Sequence, residues 1–188
     1  GGKIYFGALN GKVYALDGKK GFEIWNFHTG SRIYSSPAIG REGTVYIASR
    51  ENVFFALDGM TGTNKWQYNT GSWMMASPVI GSEGVVYISS PGVLELMGNN
   101  TLQPKLFALN GSSGGKLWEF LISGKTVVSS AVIDKNGALY VGSTDGVLYA
   151  IHDNNLKRLT GKNVQIHNLN SDDLDQILIN RKYNIPRL

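Results

Sequence analysis

The chain has 188 residues, 42% hydrophobic and 11% aromatic but only 17% charged, with 24 Gly and no Cys. This is enough apolar material for a buried core, and the recurrence of Val, Ile, Tyr, Phe and Trp in short runs between glycines excludes a helical bundle; the lack of Cys excludes disulfides, thiolate metal sites and Cys nucleophiles. The formal charge is +4, yet residues 1–155 carry twelve Lys/Arg against eleven Asp/Glu and residues 156–188 six against three, so the surplus lies in the tail and no phosphate-tracking groove for nucleic acid is expected. No apolar run approaches the roughly eighteen residues of a membrane-spanning helix. The chain opens Gly1-Gly2 without Met or an apolar signal segment, which reads as a processed or excised piece.

In chain order, three segments superimpose: one from Lys12, one from Asn52 and one from Lys105. Trp25 and Trp66 are 41 residues apart and Trp66 and Trp118 are 52, so a period of about forty is interrupted once by about eleven extra residues. The first unit supplies strands B, C and D without A. The second reads as B over Thr44–Ala48, C over Val53–Asp58 and D over Asn64–Tyr68, and strand A of the third as Ala76–Ile80. Tight turns are expected at 41–43 and 59–62, where Gly supplies positive φ. The fourth unit reads as A over Ser129–Ile133, B over Ala138–Gly142 and C over Val147–His152, and then loses the pattern. Four short antiparallel strands every forty residues make an all-β chain of propeller blades.

The spacing A-x-D-x-x-x-G-x-x-x-W is met by Ala15, Asp17, Gly21, Trp25 and by Ala56, Asp58, Gly62, Trp66, and with Asn for Asp by Ala108, Asn110, Gly114, Trp118. In this motif the chain resembles the tryptophan-docking repeat of the PQQ-like, quinoprotein-type propeller family, over about residues 1–155. The resemblance implies that Ala makes room for an indole, that Asp or Asn closes the C–D turn, and that each Trp wedges between adjacent blades.

About four blades follow, a partial or half ring, with blades over 1–160 and a tail over 161–188. Residues 163–169 alternate Val164 and Ile166 and are read as a closing strand for the first blade. Ser171, Asp172 and Asp173 ahead of Leu174, Ile177 and Leu178 predict a short N-capped helix, docked on a sheet edge.

No catalytic fingerprint appears. Relatives implied by the resemblance oxidise alcohols or sugars with PQQ held by Ca²⁺, and several use a vicinal Cys pair, absent here. Glu51, Glu95 and Asp145 fall at different blade positions and read as solvated loop acids, and His28, His152 and His167 lack zinc-site spacing, so no metal or cofactor is expected. The Ser35-Ser36-Pro37, Ala76-Ser77-Pro78 and Ser129-Ser130-Ala131 triplets recur once per blade and read as architecture.

Function is sought where the repeat is broken, because shared residues are already explained by packing. One departure is the insertion Pro91–Pro104 between strands B and C of the third blade. The other is Trp73, aligned with Arg32 and Thr126, whose neighbours Met74 and Met75 read as core. Both fall at the same end of the third blade, so Trp73, Leu94, Leu96 and Met97 are the candidate binding residues, either as an open apolar patch or as a private core under a folded-back loop. The leading expectation is a noncatalytic interaction, scaffold or sensor module that holds a protein partner, or a second copy completing the ring. A PQQ-dependent dehydrogenase or fragment of one, with Ca²⁺, and a carbohydrate-binding propeller are the alternatives. The resemblance alone favours an exported location.

Overall fold

The computed structural model describes residues 2–81, 83–92, 103–122, 127, 129–144, 147–153 and 164–169, with the backbone alone at 152–153 and 164–169. The described residues form fifteen strands and no helix, in one three-stranded and three four-stranded antiparallel sheets. The first sheet is β1 (Lys3–Gly7), β2 (Lys12–Asp17) and β3 (Glu23–His28); the second is β4 (Ala38–Ile39), β5 (Thr44–Ala48), β6 (Val53–Asp58) and β7 (Asn64–Asn69). The third is β8 (Val79–Ile80), β9 (Val85–Ser90), β10 (Lys105–Asn110) and β11 (Lys116–Leu121), and the fourth is β12 (Val132–Ile133), β13 (Ala138–Gly142), β14 (Leu148–Asp153) and β15 (Val164–Leu169). Each is a propeller blade, and the partial ring read from the repeat is the fold.

Two readings are corrected. The inner strands expected over Ala76–Ile80 and Ser129–Ile133 hold only two residues each. Ahead of β12 a serine takes over a ladder position, Ser129 Oγ donating to the Gly142 carbonyl at 2.9 Å and accepting from its N–H at 3.2 Å, and Ser35 Oγ does the same with Ala48 at 2.9 and 3.1 Å ahead of β4, whereas Ala76, without a hydroxyl, stands at that position ahead of β8. Residues 164–169 do not complete the first sheet. They pair with β14 in the register Ala150↔His167 as the outer strand of the fourth, a sequential pairing that spans far less chain than a return to the first sheet. The expected helix from Ser171 lies outside the described residues.

The core consists of three clusters, each between consecutive sheets. The first joins Val13, Ala15 and Trp25 to Val45, Ile47, Phe55 and Leu57; the second joins Phe54 and Ala56 to Val86, Ile88, Phe107 and Leu109; the third joins Tyr87, Leu106 and Ala108 to Leu139, Val141, Tyr149 and Ile151. A central blade is thus apolar on both faces, and β5 and β9 are buried along their whole length. At the inner edge the blades are linked by serines: Ser77 Oγ accepts from the Ser36 N–H at 2.8 Å and Ser130 Oγ from the Ser77 N–H at 2.9 Å. The recurring Ser triplets are architecture in this concrete sense.

Candidate functional site

Two groups of residues were singled out in the sequence, the repeated docking set and the Trp73 end. The docking set forms identical rungs across each sheet. Tyr5, Ala15 and Trp25 are register partners, as are Tyr46, Ala56 and Trp66, and Tyr87, Ala108 and Trp118. A register shift follows the Ala in all three C–D pairs, a bulge that re-aims the outer strand beside its Trp. Trp25 Nε1 donates to the Gly59 carbonyl of the next blade at 3.1 Å and Trp66 Nε1 to the Gly111 carbonyl at 2.9 Å.

The same carbonyls accept the hydroxyls of Tyr5, at 2.8 Å, and Tyr46, at 2.9 Å. Burial pushes both phenols above their ordinary pKa, with the charge of Asp58 adding to the effect at Tyr5. The tyrosines were missed in the sequence, although a Tyr ten residues ahead of each Ala in the first two units was a legible signal. Asp17 Oδ1 accepts from the backbone N–H groups of Lys19 and Lys20, Asp58 Oδ1 from those of Met60 and Thr61, and Asn110 Oδ1 from those of Ser112 and Ser113. The Thr61 and Met60 N–H bonds hold the Asp58 carboxyl below the usual carboxylate range. Asn supplies the same acceptor without a charge, which explains its place in the third unit. The motif is an interblade lock.

The Trp73 end is different. Thr70 of the β7–β8 loop donates its backbone N–H to the Asn52 carbonyl at 2.8 Å, the Arg50 N–H bonds to the Arg32 carbonyl at 2.9 Å, and Ser90 Oγ donates to the Trp73 carbonyl at 3.4 Å. D–A and B–C loops therefore meet at one end of the blades. Trp73 is 44% exposed, with the Arg50 guanidinium carbon 5.0 Å from the ring centroid. This is a cation–π pair on the surface, where an indole and an Arg present an apolar plane beside a charge.

Asn52, at φ +68°, occupies the turn position that Gly11 holds in the first blade at φ +80°. Three buried side-chain oxygens without a protein partner among the described residues, those of Ser49, Asn52 and Ser72, all belong to the two segments that carry Arg50 and Trp73.

Met74 is fully buried, as read, but Met75 is 41% exposed and its counterpart Tyr34 43%. Extended backbone alternates its side chains, so Met74 and Met75 face opposite sides, and only the side of Met74 is covered. The insertion leaves the third sheet after Ser90 and returns at Lys105, which are register partners, with Pro91 and Pro104 buried at its base. Leu94, Leu96 and Met97 lie outside the described residues, as do Glu95 and Asp145. Glu51 is exposed, and among the described residues no three His, Cys, Asp or Glu side chains come together to hold a metal ion. No helix among the described residues is long and apolar enough to cross a membrane.

The family model described as outer membrane protein assembly factor BamB matches residues 1–180. Among solved structures the chain is similar to BamB from Moraxella catarrhalis, with a TM-score of 0.68 and 23% identity over 90% of this chain and 47% of that one. It is similar also to the quinohemoprotein alcohol dehydrogenase from Comamonas testosteroni, with a TM-score of 0.66 and 17% identity over 80% of this chain and 32% of that one. A third likeness is to the WD40 β-propeller domain of Doa1, at a TM-score of 0.65 and 14% identity over 82% of this chain and 48% of that one. At these identities the likeness is one of fold. The chain spans about a third to a half of the length of these structures. No curated protein matches it.

Proposed function

The chain belongs to the propeller family described as outer membrane protein assembly factor BamB, and from that premise we propose that it is a noncatalytic interaction module that holds a protein partner at the end of the blades carrying Trp73. The observation that carries this reading is the half-exposed Trp73 indole capped by Arg50, at a position where the other units have Arg32 and Thr126. Trp and Arg are the residue types that dominate binding energy at protein interfaces, through large apolar area combined with a few directed polar contacts. The loops around Trp73 are tied to the sheets by backbone hydrogen bonds, so little ordering entropy opposes docking.

The test compares stability with capture. Trp73→Ala combined with Leu94→Ser is expected to leave the melting temperature nearly unchanged. Capture of a partner crosslinked through a photoreactive group at position 75 should weaken at least tenfold, about 1.4 kcal/mol. A fall in stability of several kcal/mol, the range for lost aromatic burial, would instead assign the insertion as a lid over a private core.

PQQ-dependent oxidation is the second reading, favoured by the fold likeness to quinohemoprotein alcohol dehydrogenase. A quinone absorbance band with dye-linked alcohol oxidation after reconstitution with PQQ and Ca²⁺ would establish it in place of the first.

A further inference from the structure

At the end of the blades opposite Trp73, where the β4–β5, β8–β9 and β10–β11 turns meet, the second and third sheets border an open cleft of about 630 Å³. That volume is within the range of about 300–1,000 Å³ that small-ligand sites occupy. Four charged side chains line it: Arg41 and Glu42 from the β4–β5 turn, Glu83 from the β8–β9 turn and Lys65 from β7. None of the four takes part in an ion pair among the described residues. Lys65 Nζ donates to Thr44 Oγ1 at 3.0 Å, which occupies one of its three N–H groups. Asn110, from the β10–β11 turn, commits its Oδ1 to the Ser112 and Ser113 N–H groups, and its Nδ2 has no acceptor among the described residues.

The cleft is open because this junction departs from the one before it. Between the first and second sheets Lys3 holds the position of Thr44 and reaches over the turn, with Nζ 3.3 Å from the Gly59 carbonyl oxygen and 2.8 Å from Met60 Sδ. Between the second and third sheets Thr44 and Ser112 stand in place of Lys3 and Met60, so two short side chains replace two long ones. The charges change as well. Lys65 stands where the first sheet has Ile24 and the third Leu117, and Asn110 stands where the second has Asp58, which removes a carboxylate beside the added cation. Blade packing requires neither change, since the other sheets dock their Trp without them.

We propose that this cleft binds a short peptide by its free ends, the carboxylate held by Lys65, Arg41 and the Asn110 amide and the ammonium by Glu42 and Glu83. Two acids and two bases leave the cleft without net charge, so a purely anionic or purely cationic ligand meets as much repulsion as attraction, whereas a dipolar one satisfies both pairs. Charge-assisted hydrogen bonds at both ends supply the selectivity. A sugar is disfavoured by the lining: its one aromatic ring, Tyr46, is 6% exposed and its hydroxyl is committed to the Gly111 carbonyl, so no ring face is left for stacking. A chain of two or three residues extends at most about 7–11 Å, which suits a cleft of this size. The site is separate from the Trp73 end and independent of the protein-partner reading.

Trialanine titrated into the full chain, followed by amide shifts in NMR, tests the site. The Gly84, Gly111 and Ser112 amides are expected to move saturably with a Kd of about 1 mM or tighter, while those of Gly59 and Met60, at the junction covered by Lys3, stay in place. N-acetyl-trialanine amide, uncharged at both ends, should bind at least about tenfold more weakly, and so should trialanine to Lys65→Met. Ser112→Met, which copies Met60, should block the cleft without altering a charge. Equal affinity for trialanine and its blocked form would overturn the proposal, because the charges would then not select the ligand. So would saturation by maltose in place of trialanine. Absence of a saturable shift at Gly111 and Ser112 in the parent chain rejects the site outright, and that measurement requires no variant to fold.

Discussion

At the residue scale, stability is concentrated in the shared carbonyl acceptors. Trp66 and Tyr46 converge on the Gly111 carbonyl oxygen and their rings lie 5.8 Å apart. Trp66→Ala removes both the aromatic packing and one donor, so calorimetry should show a loss of about 3–5 kcal/mol, and a loss below 1 kcal/mol would contradict the lock. Tyr46→Phe keeps the ring and leaves the carbonyl one donor, for a smaller cost of about 0.5–1.5 kcal/mol. The Tyr46 phenol is held above its ordinary value by burial, so its contribution is present below the unfolded value of about 10 and is lost as pH rises through the folded one. The alkaline fall in melting temperature should therefore be shallower in Tyr46→Phe than in the parent.

At the element scale, each C–D turn is closed by one side chain that satisfies two backbone N–H groups, and the turn then presents the carbonyl that docks the neighbouring Trp. Asp58 is ionised more readily in the fold than in the unfolded chain, because the Thr61 and Met60 N–H groups bond to its charged form. That contribution is present above the unfolded carboxyl value of about 3.9 and disappears as pH falls through the folded value. Asp58→Asn, which copies the third blade, should leave the melting temperature near neutral pH almost unaltered and reduce its drop below about pH 4. A parallel acid profile for the two proteins would mean that the turn does not depend on the charge. Gly62→Ala acts on the same element through the backbone, combining an unfavourable positive φ with a clash against Trp25, and it should destabilise more than Gly21→Ala, which meets open space.

At the scale of the whole molecule, each sheet contacts its sequence neighbours through a separate apolar cluster, so the chain behaves as a short linear array in which junctions can be weakened one at a time. Trp66→Ala should raise amide exchange on both sides of the junction between the second and third sheets more than at the junction of the first and second. Uniform acceleration across all four sheets would show a single cooperative unit instead. The inner serine relay from Ser36 through Ser77 to Ser130 couples the blades more weakly, through hydrogen bonds at the solvent-exposed edge.

The repeat and its blade class were legible in the sequence because period-two apolar runs, Gly turns and the Ala–Asp–Gly–Trp spacing are local signals, each written within about forty residues. The strands β5, β6 and β13 fall where the alternation placed them, and Asp17, Asp58 and Asn110 close their turns as that spacing implied. The partners that lie across blade boundaries were not legible. That Tyr5 and Trp25 share the Gly59 carbonyl, that Arg50 covers Trp73, and that Met75 points outward while Met74 is buried depend on how sheets stack and on which loops meet at one end. Residues 164–169 make the same point, since their alternation specifies a strand but not its neighbour. A strand's two faces are set by its own residues, while the identity of what covers each face is a property of sheet packing, which only the tertiary structure decides.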